Sequence, residues 1–197
     1  MKYDSIWHWD GTFRDICISG VGIPHWQRVI DWLRASPYPI EFRLNDEPTA
    51  LPHEVSEVFR QRDERAVLLQ VDVGNVIIHC HFFSYDEIEF DVDPREVSSE
   101  QEEQGIIDFM RALGRLSGRE VILTPENYRE MALLTYIPEQ DEVVHNPVSL
   151  EPAAIRELSR EQGLRLMAEA YDEDQNDEGA IVQRMLDASN KPVREES

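Results

Sequence analysis

AVLLQVDVGNVIIHCHFF, residues 66–83, is the stretch on which the fold turns. Two aliphatic runs flank Gly74-Asn75, and a glycine first in a two-residue loop suits a type II′ hairpin turn. The register follows: Val73 faces Val76, Val71 faces Ile78, Leu69 faces Cys80 and Val67 faces Phe82. One face of this hairpin is wholly apolar and belongs to a core. His79 and His81 fall on the other face with Leu68, Gln70, Asp72, Ile77 and Phe83, while Cys80 points away from them. A joint His-Cys-His metal site within one flat strand is therefore geometrically excluded.

Two histidines at i and i+2 on one strand still suit a metal. The spacing Gly74, His79, His81, then Asp86 or Glu87 partly resembles the first motif of cupins, in which such a pair ligates one. No second such motif follows, and His145 is the one downstream histidine. A structural or catalytic site needs three or four ligands, so no metal or other cofactor is expected. A metal-dependent enzyme using His79 and His81 stays as an alternative.

The next segment, DEIEFDVD at 86–93, alternates Ile88, Phe90 and Val92 with Glu87, Glu89, Asp91 and Asp93, the pattern of a half-exposed strand. Like charges along one strand repel, and two explanations stand side by side: protection of an exposed sheet edge, or a surface that recognises cations or basic proteins. The segment lacks the central glycine and terminal glutamate of a calcium loop. Asp86, Glu87, Glu89, Asp91 and Asp93 form the candidate partner-binding set.

Working outward, SIWHWDGTFRDICIS at 5–19 has an Asp10-Gly11 pair that suits a type I′ turn, so a first hairpin is expected with Trp7, Trp9, Thr12 and Arg14 on one face. Pro24 opens a helix whose Trp26, Val29, Ile30 and Leu33 recur at helical spacing. YPIEFRL at 38–44 alternates as a strand, and HEVSEVFRQRDE at 53–64 reads as a short helix. After Pro94, Ser99 and Glu102 make a capping box, Ile106, Phe109, Met110, Leu113 and Leu116 form a stripe, and Gly118 is the C-cap. REVILT and MALLTYI then read as strands. Residues 149–197 read as a helical tail with an acidic linker at 171–179, so the chain divides into a domain at 1–148 and that appendage.

Composition narrows the function. Forty Asp and Glu against 19 Lys and Arg give a formal net charge of −21, a field that repels phosphate and anionic lipid and steers basic proteins inward. Nucleic acid and membrane surfaces are thereby disfavoured as partners. The N-terminal residues lack the pattern of a signal peptide, and two cysteines are too few for a disulfide framework, which leads to the expectation of a cytoplasmic protein. No Gly-rich phosphate loop, G-x-S-x-G elbow or H-E-x-x-H pair is present, so a non-enzymatic role is expected, with no catalytic residues.

The aromatic pair IWHWDGTFRDICI, the acidic strand, and then DFMRALGRLSGREVILTPENYREMALLTYI resemble, over residues 5–137, bacterial immunity-type proteins of polymorphic toxin systems. The resemblance implies binding and neutralising a cognate toxin through an acidic complementary surface, and it implies no transferable site residues. The expected fold is α+β, a mostly antiparallel sheet with helices packed on one face, plus the C-terminal helical appendage. A self-associating scaffold or interaction protein that forms a homo-oligomer through the C-terminal helices is the other alternative.

Overall fold

The computed structural model describes residues 2–146, and the central hairpin forms with the expected partners. Strands β4 (Val67–Asp72) and β5 (Ile77–Cys80) pair antiparallel with Leu69 opposite Cys80 and Val71 opposite Ile78. The Val73 N–H donates to the Val76 carbonyl at 2.8 Å. Two details differ from expectation. Gly74 and Asn75 both take positive φ, 65° and 79°, so the turn is of the I′ kind rather than II′. Asn75 tolerates the left-handed region, and its N–H is held by Asp72 Oδ1 at 3.0 Å. Pairing also stops at Cys80, because Phe82 takes φ 57° and its ring stacks on Trp26 with centroids 5.1 Å apart. Phe82 is thus a core residue without being the strand partner of Val67.

Around this hairpin the other strands are β1 (Arg14–Ser19), β2 (Ile40–Leu44), β3 (Glu47–Thr49), β6 (Glu87–Val92), β7 (Val121–Pro125), β8 (Leu134–Ile137) and β9 (Glu142–His145). All join one antiparallel sheet in the order β3-β2-β4-β5-β6-β1-β7-β8-β9. The acidic strand β6 therefore lies in the middle, between β5 and β1, and protection of an exposed edge is not its role. The edges are instead the short strands β3, which carries Pro48, and β9. Neither was expected from the sequence. Asn45 and Asp46, with φ of 51° and 67°, make the tight turn that folds β3 onto β2.

Among the described residues three helices cover one face: α1 (Ile23–Ala35), α2 (Val55–Arg62) and α3 (Glu100–Ser117). Helix α1 starts with Pro24 in its first turn and buries Trp26, Val29, Ile30 and Leu33. In α3 the Ser99 hydroxyl accepts from the Glu102 N–H, while the Glu102 carboxylate reaches one residue further back than a capping box requires, to Ser98 N–H at 2.8 Å. Gly118 closes the helix with φ 65°. Phe109 packs edge-on against Phe90 of β6 at 5.2 Å. At Gly114 the helix comes so close to β8 that an added Cβ would lie 2.4 Å from the Tyr136 ring. Among the described residues no helix is long and apolar enough to cross a membrane.

The N-terminal segment departs from the expected hairpin. Asp4–Trp7 is a 3₁₀ turn and the first strand begins only at Arg14. The cause is Arg14, which is fully buried and whose charge demands partners that a flat ladder would withhold. The curled segment supplies them: Nε donates to Ile6 O and Nη2 to His8 O, both at 2.8 Å, and Nη1 to Thr12 O at 3.0 Å. The Asp10 carboxylate adds contacts at 3.1 and 3.2 Å. Burial opposes ionisation of Asp10, but hydrogen bonds from Thr12 and Arg14 outweigh it and hold the carboxyl below its ordinary value. Trp7, rather than sharing a face with Trp9, goes into the core and donates to the buried Glu103 carboxylate at 3.1 Å. The expected tail at 149–197 lies outside the described residues.

Candidate functional site

Strand alternation builds the site. In β6, Ile88, Phe90 and Val92 enter the helix-covered core, which leaves Glu87, Glu89 and Asp91 on the opposite face. Antiparallel register then brings other polar residues beside them. On β1, Asp15 sits opposite Asp91, Cys17 opposite Glu89 and Ser19 opposite Glu87. Across β1 on its other side, Thr124 of β7 pairs with Asp15, and His79 of β5 pairs with Asp91. Gln70, His79, Asp91, Asp15 and Thr124 thus form one row across five strands. Gln70 Nε2 lies 3.0 Å from His79 Nε2, and His81 Nε2 lies 3.4 Å from Asp91 Oδ2.

The loop between β7 and β8 folds over this row. Asn127 N–H donates to Asp15 Oδ2 at 2.8 Å, and Arg129 bridges Glu87 and Glu89, the latter at 2.6 Å. Glu126 accepts from the Phe13 N–H at 3.1 Å. The result is a partly enclosed acidic cluster, with Asp15 only 2% and Glu87 only 8% exposed, rather than the fully solvated face that the alternation suggests.

Enclosure changes the ionisation of these groups. Burial pushes the Asp15 carboxyl up to about 6, with the charges of Asp91 and Glu126 adding to the rise and the Asn127 hydrogen bond opposing it. Burial likewise pushes Glu89 up to about 7, helped by Asp15 and opposed by Arg129. Burial pulls His79 below its ordinary value despite the nearby Asp91 carboxylate, which keeps the imidazole neutral at pH 7. The Cys17 and Cys80 thiols are both pushed up by burial and stay protonated.

The five acidic residues expected to act together do not share one setting. Glu87, Glu89 and Asp91 assemble on the sheet. Asp86 is exposed and hydrogen-bonded to Ser84. Asp93 caps the 3₁₀ turn Pro94–Glu96 and pairs with Arg95 at 2.6 Å, and Arg95 in turn lies 4.1 Å over the Trp9 ring. His79 and His81 occupy the same face as the cluster, and Cys80 is buried on the other, as the register requires. Large aromatic side chains remain exposed around the strand: Phe83, stacked on His81 at 5.2 Å, Tyr85 against Phe59 at 4.4 Å, and Trp9. Sequence reasoning missed Asp15 and Thr124 as site residues. The one available signal was a carboxylate within the aliphatic strand RDICIS.

No protein-family model, no curated protein and no solved structure matches the chain.

Proposed function

We propose that the chain is a non-enzymatic immunity or inhibitor protein that acts in the bacterial cytoplasm, binding and neutralising a basic toxin domain through this acidic face. The observation that carries the reading is a crowding of carboxyl groups: Asp15, Glu87, Glu89 and Asp91 share one face, and among the described residues the one guanidinium bridging them is that of Arg129. A lysine or arginine from a partner meets that cluster with little rearrangement, and the net charge of −21 brings such a partner in quickly. Phe83, 62% exposed, stacks on His81, which itself approaches Asp91, and an exposed aromatic ring is the residue type enriched at interfaces. Within the acidic set, Glu89 and Asp91 are the central contacts, and Asp86 and Asp93 belong to the rim.

The test is titration of a basic toxin domain encoded beside this protein against the unmodified chain and the near-isosteric variant Glu87→Gln, Glu89→Gln, Asp91→Asn, with a chelator present. These changes remove three carboxyl groups without setting a lysine against Arg129. Weakening by about 2–5 kcal/mol, with an on-rate that falls steeply with salt, supports the reading. Failure of the unmodified protein to bind removes it.

A further inference from the structure

We propose that the same sheet face holds one divalent cation, with Asp15, Glu89 and Asp91 as its carboxylate ligands and the Thr124 hydroxyl beside them. One ligand oxygen from each of the three carboxylates lies within 4.8 Å of the others. Oxygens bound to a single magnesium or calcium ion at 2.0–2.6 Å lie up to about 4–5 Å apart, so the three already span one coordination sphere.

An independent observation points to a missing ligand. Among the described residues, Asp15 Oδ1 and Thr124 Oγ1 have no hydrogen-bond partner although their residues are 2% and 0% exposed. They are direct cross-strand partners, so both side chains rise on the cluster's face. A buried, unpaired carboxylate oxygen is costly, and Asp15, which stands in its row between Asp91 and the equally unpaired Thr124 hydroxyl, carries one that a bound cation resolves. The other contacts leave room for it. Asn127 occupies only Oδ2 of Asp15, Arg129 occupies Oε2 of Glu89, and His81 approaches Oδ2 of Asp91.

Chemistry narrows the ion. Three carboxylates and a hydroxyl form a hard, all-oxygen set, which suits magnesium, manganese or calcium rather than zinc or copper. Cys17, Glu87 and Glu89 also come within reach of one another. That second trio is the weaker candidate, because Arg129 already bridges its two carboxylates and the thiol is buried. The site therefore shares a sheet face with His79 and His81 without being the histidine-centred one that the His-x-His spacing suggests.

The probe is manganese alone, added to the chelator-stripped full-length chain and followed by electron paramagnetic resonance and thermal melting. One bound ion per chain is expected, with a raised Tm and competition by magnesium or calcium. Asp15→Asn and Asp91→Asn should each weaken binding at least tenfold, while Asp31→Asn on the far side of α1 leaves it unchanged. Absence of bound manganese, or equal binding by Asp15→Asn, overturns the proposal. Should Asp15→Asn fail to fold, paramagnetic broadening in the unmodified protein decides: loss of the Cys17, Asp91 and Thr124 amide signals supports the site, and broadening centred elsewhere rejects it. None of these measurements needs a toxin, so the outcome is separate from the immunity reading.

Discussion

Arg14 and Asp15 are neighbours in β1, both almost wholly buried, and they point to opposite faces of the same sheet. Their surroundings differ. On the helix side, the four backbone carbonyls of Ile6, His8, Thr12 and Phe13 and the Asp10 carboxylate surround the Arg14 guanidinium, and a whole segment of chain is bent to supply them. On the other side, Asp15 receives one N–H from Asn127, and its second oxygen has no partner among the described residues. The fold evidently can satisfy a buried charge when the charge is structural. That the described residues leave the charge one position later unsatisfied marks the face opposite the helices as the place where a further group belongs.

The largest effect should come from the satisfied side. Arg14→Leu strands the Asp10 carboxylate and the carbonyls of Ile6, His8 and Thr12, so we expect a loss of about 3–5 kcal/mol in urea unfolding, the usual result of removing one partner from a buried ionic network. A neutral outcome would break the comparison, because Arg14 would then be no better housed than Asp15. Gly114→Ala probes the same covered side through packing alone. The new methyl meets the Tyr136 ring, itself fully buried, and should cost about 1–3 kcal/mol by the same measurement.

The two sides were also unequally legible in the sequence. The alternation of Ile88, Phe90 and Val92 and the register about Gly74 depend on local spacing, and both assign side chains to faces as the structure does. Spacing says nothing about which strands become neighbours. The central position of β6 follows from pairing with β1, whose Asp15 is far away in the chain, so the burial of Glu87 and the meeting of Asp15 with Asp91 had no local signature. Strands β3 and β9 are too short for a periodic signal and owe their place to turns with left-handed residues such as Asn45, Asp46 and Asp141. At the N-terminus, Asp10-Gly11 carried a sound hairpin signal that the needs of buried Arg14 overrode.

A smaller effect, of opposite sign, is expected on the side opposite the helices. In the folded chain Asp15 titrates near 6 and Glu89 near 7, both above their unfolded values, so between about pH 4 and pH 7 the folded state binds more protons than the unfolded one. Stability in chelator should therefore fall as pH rises through 6 and 7. Asp15→Asn keeps an oxygen for the Asn127 N–H, removes one of these charges and relieves Glu89 of a like neighbour. It should stabilise the protein at pH 8 by about 1–2 kcal/mol and flatten the profile. Unfolding midpoints from pH 5 to 8 check this. A profile as steep as that of the unmodified chain would mean that Asp15 is not burdened by its setting.

Arg129 supplies the smallest change and the finest test. It is the guanidinium that bridges Glu87 and Glu89, but its own side chain is 47% exposed, so the ion pairs in themselves contribute at most about 1 kcal/mol. Its effect on titration is more telling, because its charge opposes the upward shift of both Asp15 and Glu89. Arg129→Met should therefore raise both carboxyls further and steepen the loss of stability between pH 6 and 8 in chelator, the reverse of Asp15→Asn. In the double variant the steepening should shrink, since one of the two groups on which the arginine acts is gone. Manganese sharpens the contrast once more: a cation seated among Asp15, Glu89 and Asp91 takes over the neutralising role, so with the metal present the Arg129→Met profile should approach that of the unmodified chain. A steepening that manganese leaves untouched would place the ion, if one binds, away from these carboxylates.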